Sequence, residues 1–292
     1  MNRMEFLKKG MRVLLIAVAV LVAGAILLGV INAVFADGKW TFGWTDYSYG
    51  DEGYTVGDGT VVSEHLTSLE IDWIDGTVEI LPCNDTYLSL TEVSPDGELS
   101  DGSRLRYRMD ADGGLTVRYR KSGFFFGSSQ MLQKQLTVRV PVQYLRDLSV
   151  TVNGKAVTVI LNDADVNKLS FNTESGNLAV LSTCSIDKIE AYSKNGKILV
   201  SGVVRDISAS TRAGEITLES LPQIADIENE RGDVKLRVPK AASFTLDFET
   251  EKGRYISDFD LQDKNGFLVC GSGNADLSIK VDHGVLYLIG YN

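Results

Sequence analysis

Histidine, cysteine and paired acids are the residue types that most often carry chemistry, and this sequence spaces them poorly for it. His65 and His283 are its two histidines, and neither has a ligand-type partner nearby; His283 sits in a turn before Gly284, where a polar residue is expected. Zinc binding needs converging His, Cys or carboxylate ligands, and nucleophilic catalysis needs a Ser or Cys beside an oriented base, so neither is indicated. Asp110-Ala-Asp112-Gly113 opens like a calcium loop, but its twelfth position is Lys121, where a bidentate Glu is required. A tight hairpin explains that segment instead. Cys83, Cys184 and Cys270 are odd in number and widely spaced, which argues against a disulfide framework without excluding one bridge. No Gly-rich phosphate loop with its lysine is present. The sequence therefore nominates no catalytic, metal or cofactor residue.

One segment breaks a local rule. Phe124, Phe125 and Phe126 are consecutive and bracketed by Gly123 and Gly127. Three successive rings cannot share one side of a strand, so they belong to a loop or wide hairpin. Such a loop either folds back over the end of a core or forms an apolar tip that contacts a partner or a lipid surface.

The elements that position these residues follow from a repeat. Gly154, Gly176, Gly196, Gly214 and Gly232 recur at intervals of 22, 20, 18 and 18 residues, and Gly76 and Gly284 mark degenerate copies. In the regular units apolar residues lie seven and five positions before the glycine, then two and four after it: Leu169, Phe171, Leu178 and Val180 around Gly176, for example. A period of two on both flanks makes each unit strand, turn, strand. The glycine supplies either a positive-φ turn or a close backbone approach. One such unit buries a single face and is marginal alone, whereas stacking joins the faces into a continuous core. The expected fold is all-β, a solenoid-like stack of strand-turn-strand repeats of about 18 to 22 residues.

Three positions before the glycine stand Thr173, Ser193, Thr211 and Asn229, with Trp73 in the first degenerate copy. In register they form a column, which either satisfies backbone groups at the bend or, as the alternative, presents a binding row; turn chemistry explains it already. Glu174, Lys194, Arg212 and Glu230 share the next position with no consistent sign, as a solvated edge does.

Val13 to Ile31 supplies 19 uncharged, mostly apolar residues, long enough as a helix to cross a bilayer. Arg3, Lys8, Lys9 and Arg12 precede it and acids outnumber Lys39 beyond it, so the amino terminus stays in the cytoplasm. The segment reads as an uncleaved transmembrane anchor; the alternative is secretion after cleavage near Ala36, since Val34-Phe-Ala36 suits a signal peptidase. The expected organisation is a cytoplasmic tail at 1–12, the anchor at 13–35, a Gly/aromatic linker at 36–60 and an extracytoplasmic β-repeat domain at 61–292. Within the latter, starting hairpins occupy 61–145, regular repeats 146–240, and a last repeat with its cap 241–292. A net +3 in the first 36 residues leaves the remainder at −13 against −10 for the whole chain. That surface disfavours nucleic acid and other polyanions.

Taken with the amino-terminal membrane segment, Leu136-Thr-Val-Arg-Val-Pro141 leading into Leu148-Ser-Val-Thr-Val-Asn-Gly154, the successive glycine-bend units, and Val238-Pro-Lys-Ala-Ala-Ser-Phe244 resemble a bacterial family. It is the putative-adhesin β-strand-repeat domain of unknown function, which includes LiaG-like envelope proteins of Gram-positive bacteria. The resemblance spans roughly 61–292 and implies a β-solenoid-like fold outside the cytoplasmic membrane, with a link to envelope stress. It carries over no catalytic residue. The reading is a single-pass, non-catalytic envelope protein, an adhesin or interaction scaffold, with envelope proteins or cell-wall polymers as partners. An accessory regulator of envelope-stress signalling and, further off, a carbohydrate-active enzyme are the alternatives.

Overall fold

The computed structural model describes residues 52–63, 65–120 and 133–292, together with the backbone of Gly43–Trp44 and Phe124–Phe125. The anchor segment 13–31 lies outside the described residues, among which no helix is long and apolar enough to cross a membrane. The chain divides into two compact units. Met1–Tyr47 with Lys121–Met131 forms one, and Ser48–Arg120 with Leu132–Asn292 the other. In the first, Gly43–Trp44 pairs antiparallel with Phe124–Phe125, matching Gly43 to Phe125 and Trp44 to Phe124.

The second unit is all-β, built among the described residues on one 13-stranded and one 11-stranded sheet. Each regular coil contributes one strand to each sheet. Ser185–Ser193, for instance, runs in the first sheet, turns at Gly196 and continues as Ile198–Val200 in the second. Ile189, Ala191 and Ser193 of this coil point inward while Glu190 and Tyr192 face out, as alternation demands. Parallel pairing stacks Asp165–Thr173, Ser185–Ser193, Val203–Ala213 and Ile224–Arg231 in the first sheet. Leu178–Val180, Ile198–Val200, Ile216–Leu218 and Val234–Pro239 stack beside one another in the second. The apolar positions around each glycine form the core: Leu169, Val180, Ile189, Val200, Ile216 and Leu236 are all at most 1% exposed.

At both ends spatial order departs from chain order. Ser68–Asp72 lies between Gly114–Arg118 and Ser149–Gly154, so the first coil is covered by a later one. At the other end Ala275–His283 inserts between Ile224–Arg231 and Phe244–Glu249, and Val285–Tyr291 between Val234–Pro239 and Arg254–Ser257. The last coil of the chain is thus interior to the stack. The outermost positions fall to Arg254–Ser257 and Gln262–Lys264, not to the carboxyl terminus.

Two boundaries move. Thr55–Val56 pairs with Arg106–Met109, and Gly59–Val61 with Leu88–Val93, so residues 55–60, expected as linker, belong to the array's first end. Gly154 does not occupy the bend position of Gly176. It pairs with Thr173, and Val157, two residues before Val159 in the register that matches Val159 to Leu178, takes the bend place. The turn has the same length in both coils, Gly154 to Val159 matching Thr173 to Leu178, and the glycine stands three residues before the bend position held by Val157.

Candidate functional site

The described residues hold two constructed polar features, and the first is the bend column. Thr173, Ser193, Thr211 and Asn229 pair in register and are buried to 2% exposure or less. Thr173 Oγ1 donates to Lys155 O (2.9 Å), Ser193 Oγ to Gly176 O (2.8 Å), and Asn229 Nδ2 to Gly214 O (3.0 Å) and Asp233 O (3.3 Å). Each side chain donates to a carbonyl at the bend of the neighbouring coil, which is the turn chemistry the spacing implies, and Lys155 O and Asp233 O accept a backbone N–H from Ser175 and Ile216 as well. The glycines beside it permit the stack. A Cβ built on Gly196 would lie 1.7 Å from Gly176 O, one on Gly214 1.9 Å from Gly196 O, and one on Gly284 2.0 Å from Gly232 O. Of the two roles open to these glycines, close backbone approach governs most. Gly76 adds the other, with a φ of 109°.

The second feature was not read from the sequence. Lys134 begins the strand Lys134–Pro141 with its side chain inward, and its ammonium is wholly buried. Lys134 Nζ donates to Glu92 Oε1 (2.5 Å), Ser103 O (2.7 Å) and Arg120 O (2.8 Å), which uses all three of its protons. Glu92 Oε2 accepts from Leu105 N (2.8 Å). The ammonium lies 4.0 Å from the ring centroid of Tyr119 and 5.4 Å from that of Trp73, and the two rings meet edge to face. Trp73 Nε1 in turn donates to Lys134 O (3.2 Å). A sequence signal did exist: Glu92 shares strand parity with Leu88 and Leu90, and Lys134 with Leu136 and Val138, so each is a charge on an inward face. One cation here joins the strand Leu88–Val93, the loop at Ser103 and the chain at Arg120. With every proton spent on a fixed partner, Lys134 is a structural clamp rather than a nucleophile.

The residues singled out for chemistry remain apart. Asp110 Oδ1 accepts from Asp112 N (2.9 Å) and Gly114 N (2.7 Å), so its carboxylate organises the hairpin between Arg106–Met109 and Gly114–Arg118. His65 lies in a turn closed by Ser63, while His283 ends the strand Ala275–His283. Cys83, Cys184 and Cys270 are free thiols; burial pushes Cys184 and Cys270 above the usual thiol pKa. Among the described residues no three His, Cys, Asp or Glu side chains gather to hold a metal ion. Arg212 pairs with Glu230 (3.3 Å) on the solvated edge. The side chains of Phe124 and Phe125, and all of Phe126, lie outside the described residues.

The outward faces are ordered by register. On the first sheet Lys168 and Lys188 both reach Glu190 at 2.7 Å, and these hydrogen bonds, Lys168 first, hold its carboxyl down to about 2. On the second, Lys235 bonds Glu215 and lowers its pKa, and Arg237 bonds Glu219 (2.9 Å). A family model, Toastrack DUF4097, matches residues 154–286, the span that holds these glycine bends.

Over this segment the chain is similar to the Toastrack family.

Outside it, the array extends through the coils at 68–83 and 114–141 and the coil 149–161 that straddles its start. Three solved structures are similar to the chain. A putative cell adhesion protein from Clostridium sporogenes shares 10% identity with a TM-score of 0.36, covering 81% of this chain and 100% of its own. A putative adhesin from Bacteroides fragilis gives 12% and 0.42, with 80% and 97% covered. Another, from Parabacteroides distasonis, gives 13% and 0.38 over the same shares. No curated protein sequence matches the chain.

Proposed function

We propose that this chain is a membrane-anchored, non-catalytic β-repeat protein of the bacterial cell envelope, whose array stands outside the cytoplasmic membrane and presents its sheet faces to envelope proteins or cell-wall polymers. The observation that carries this reading is the outward register. Asn172, Tyr192, Ser210, Glu228 and Lys280 occupy one row across five coils, and Ser170, Glu190, Ser208, Asp226 and Ser278 another. Rows of polar side chains at strand spacings of about 4.8 Å form a long, shallow surface suited to an extended partner. Small-molecule chemistry calls instead for a concave, mostly apolar pocket with a few converging polar groups. The 19-residue apolar segment with basic residues before it supports anchoring and an outward array.

Tagged full-length protein, cross-linked in growing cells and recovered from solubilised membranes, tests this role. Recovery of a wall polymer or an envelope protein, lost when Tyr192 and Glu228 are both changed to alanine, is the expected result. Glycan cleavage abolished by a single carboxylate substitution would instead establish an enzyme.

A further inference from the structure

The end of the stack formed by Arg254–Ser257 carries an open strand edge, since this strand pairs with Val285–Tyr291 on one side and is last in its sheet on the other. Arg254, Tyr255, Ile256 and Asp258 are exposed, with Tyr255 and Ile256 at 42% and 46%. Native sheets normally blunt such an edge by shortness, charge or a cover. Here two large apolar side chains remain on it.

The backbone phase of this edge is set. Arg254 N donates to Gly284 O (3.3 Å) and Asp258 N to Leu288 O (2.9 Å), so Arg254, Ile256 and Asp258 direct their backbone groups into the sheet. By alternation Tyr255 and Ser257 direct theirs toward the open side. An antiparallel partner strand must therefore meet Tyr255 and Ser257 with its own outward-directed residues. For two copies related by a two-fold axis, three registers satisfy this. Tyr255 on itself places Arg254 opposite Ile256, and Ser257 on itself places Ile256 opposite Asp258. Tyr255 on Ser257 places Ile256 opposite its own copy and Arg254 opposite Asp258. Only the last pairs like with like among the apolar residues and opposite charge with opposite charge.

We infer that this edge is an isologous self-association site, in which a second copy of the chain adds its Arg254–Ser257 strand antiparallel, with the two-fold axis at Ile256. Tyr255 and Ser257 then exchange main-chain hydrogen bonds, while the Ile256 pair and the two Arg254 to Asp258 pairs occupy non-hydrogen-bonded positions, where side chains lie closest. The second sheets of the two copies become one continuous sheet. Because the edge is short the pairing is weak, and the proposal is independent of whether the chain is anchored.

Cysteine cross-linking of the purified full-length chain in mild detergent tests the register. The two residues at position 256 stand about 4.5 Å apart between Cα atoms, within disulfide reach. Ile256→Cys is expected to give a disulfide dimer at least about fivefold above Tyr192→Cys, an equally exposed position on the open face of the first sheet. Adding Asp258→Arg is expected to reduce the dimer to the Tyr192→Cys level, and adding Arg254→Asp to that variant to restore it. Asp258 also accepts from Gly290 N (3.1 Å), so Arg254→Glu, which leaves this bond intact, is the parallel variant and is expected to lower cross-linking equally. Cross-linking at the Tyr192→Cys level, a dimer indifferent to the charge changes, or a ladder of higher oligomers in place of a dimer would each overturn the proposal.

Discussion

The Lys134 ammonium lies 2.5 Å from the Glu92 carboxylate with both side chains removed from solvent. Burying two charges costs several kcal/mol per ion unless pairing and hydrogen bonds offset it, and here three acceptors surround Nζ and a backbone donor meets the second carboxylate oxygen. Removing one partner therefore strands the other. Lys134→Met and Glu92→Leu should each destabilise the protein by about 3 to 5 kcal/mol in urea unfolding. The double change should cost much less than their sum, because it removes both charges. Additive losses would show that the pair is not the unit we describe.

Contact between successive bends gives a second test. Gly196→Ala sets a methyl 1.7 Å from Gly176 O, and the neighbouring coil must move to admit it. A loss of at least about 2 kcal/mol is expected, large for so small a change. Gly290→Ala meets mainly the flexible Lys240 side chain at 2.9 Å and should cost less. Comparable melting temperatures for the two variants would contradict the stacked-bend assignment.

Chain order and spatial order part at the carboxyl end, and a truncation reads this out. Ala275–His283 and Val285–Tyr291 fill an interior layer, so a chain ending at Ser272 loses the support on which Phe244–Glu249 and Arg254–Ser257 pack. Limited proteolysis should then digest residues 244–270 as well, whereas removal of Asn292 alone should leave the pattern unchanged. Survival of the 244–270 segment in the truncated chain would refute the insertion.

Glu190 supplies a pH test. Its carboxyl is held to about 2 by Lys168 and Lys188, below its unfolded value near 4.5. A depressed folded pKa adds stability above the unfolded value, and that stability is lost as pH falls from about 4.5 toward 2. With its side chain 40% exposed, solvent screening limits the gain to less than about 1 kcal/mol. Glu190→Gln should flatten the acid limb of the stability curve across that window and leave its slope unchanged above about pH 5.5, roughly one unit above the unfolded value.

The regular coils were legible because their signal is local. Leu169, Phe171, Leu178 and Val180 announce their inward direction by parity alone, and Gly176 marks the bend between them. Thr173, Ser193, Thr211 and Asn229 were legible too, since a small polar side chain at a turn has one economical use. The interleaved ends were not. Nothing near Ala275 states that its strand will pair with Phe244–Glu249 on one side and Ile224–Arg231 on the other, because strand order is decided by long-range packing rather than by periodicity. Gly154 misled for a related reason: its spacing matched the repeat, but the pairing register sets it at the place that Thr173 holds next door, three residues before the bend position. Lys134 and Glu92 were visible as charges of inward parity on separate strands, yet the alternation of their own strands gave no sign that they meet.

The account rests most heavily on an outward-facing, membrane-bound array, and protease protection tests that most directly. Protease added to intact, wall-stripped cells should degrade the chain from 61 to 292 while a cytoplasmic marker survives, and fractionation should place the undigested protein in the membrane. Complete protection of the array in intact cells, with digestion only after lysis, would contradict the account.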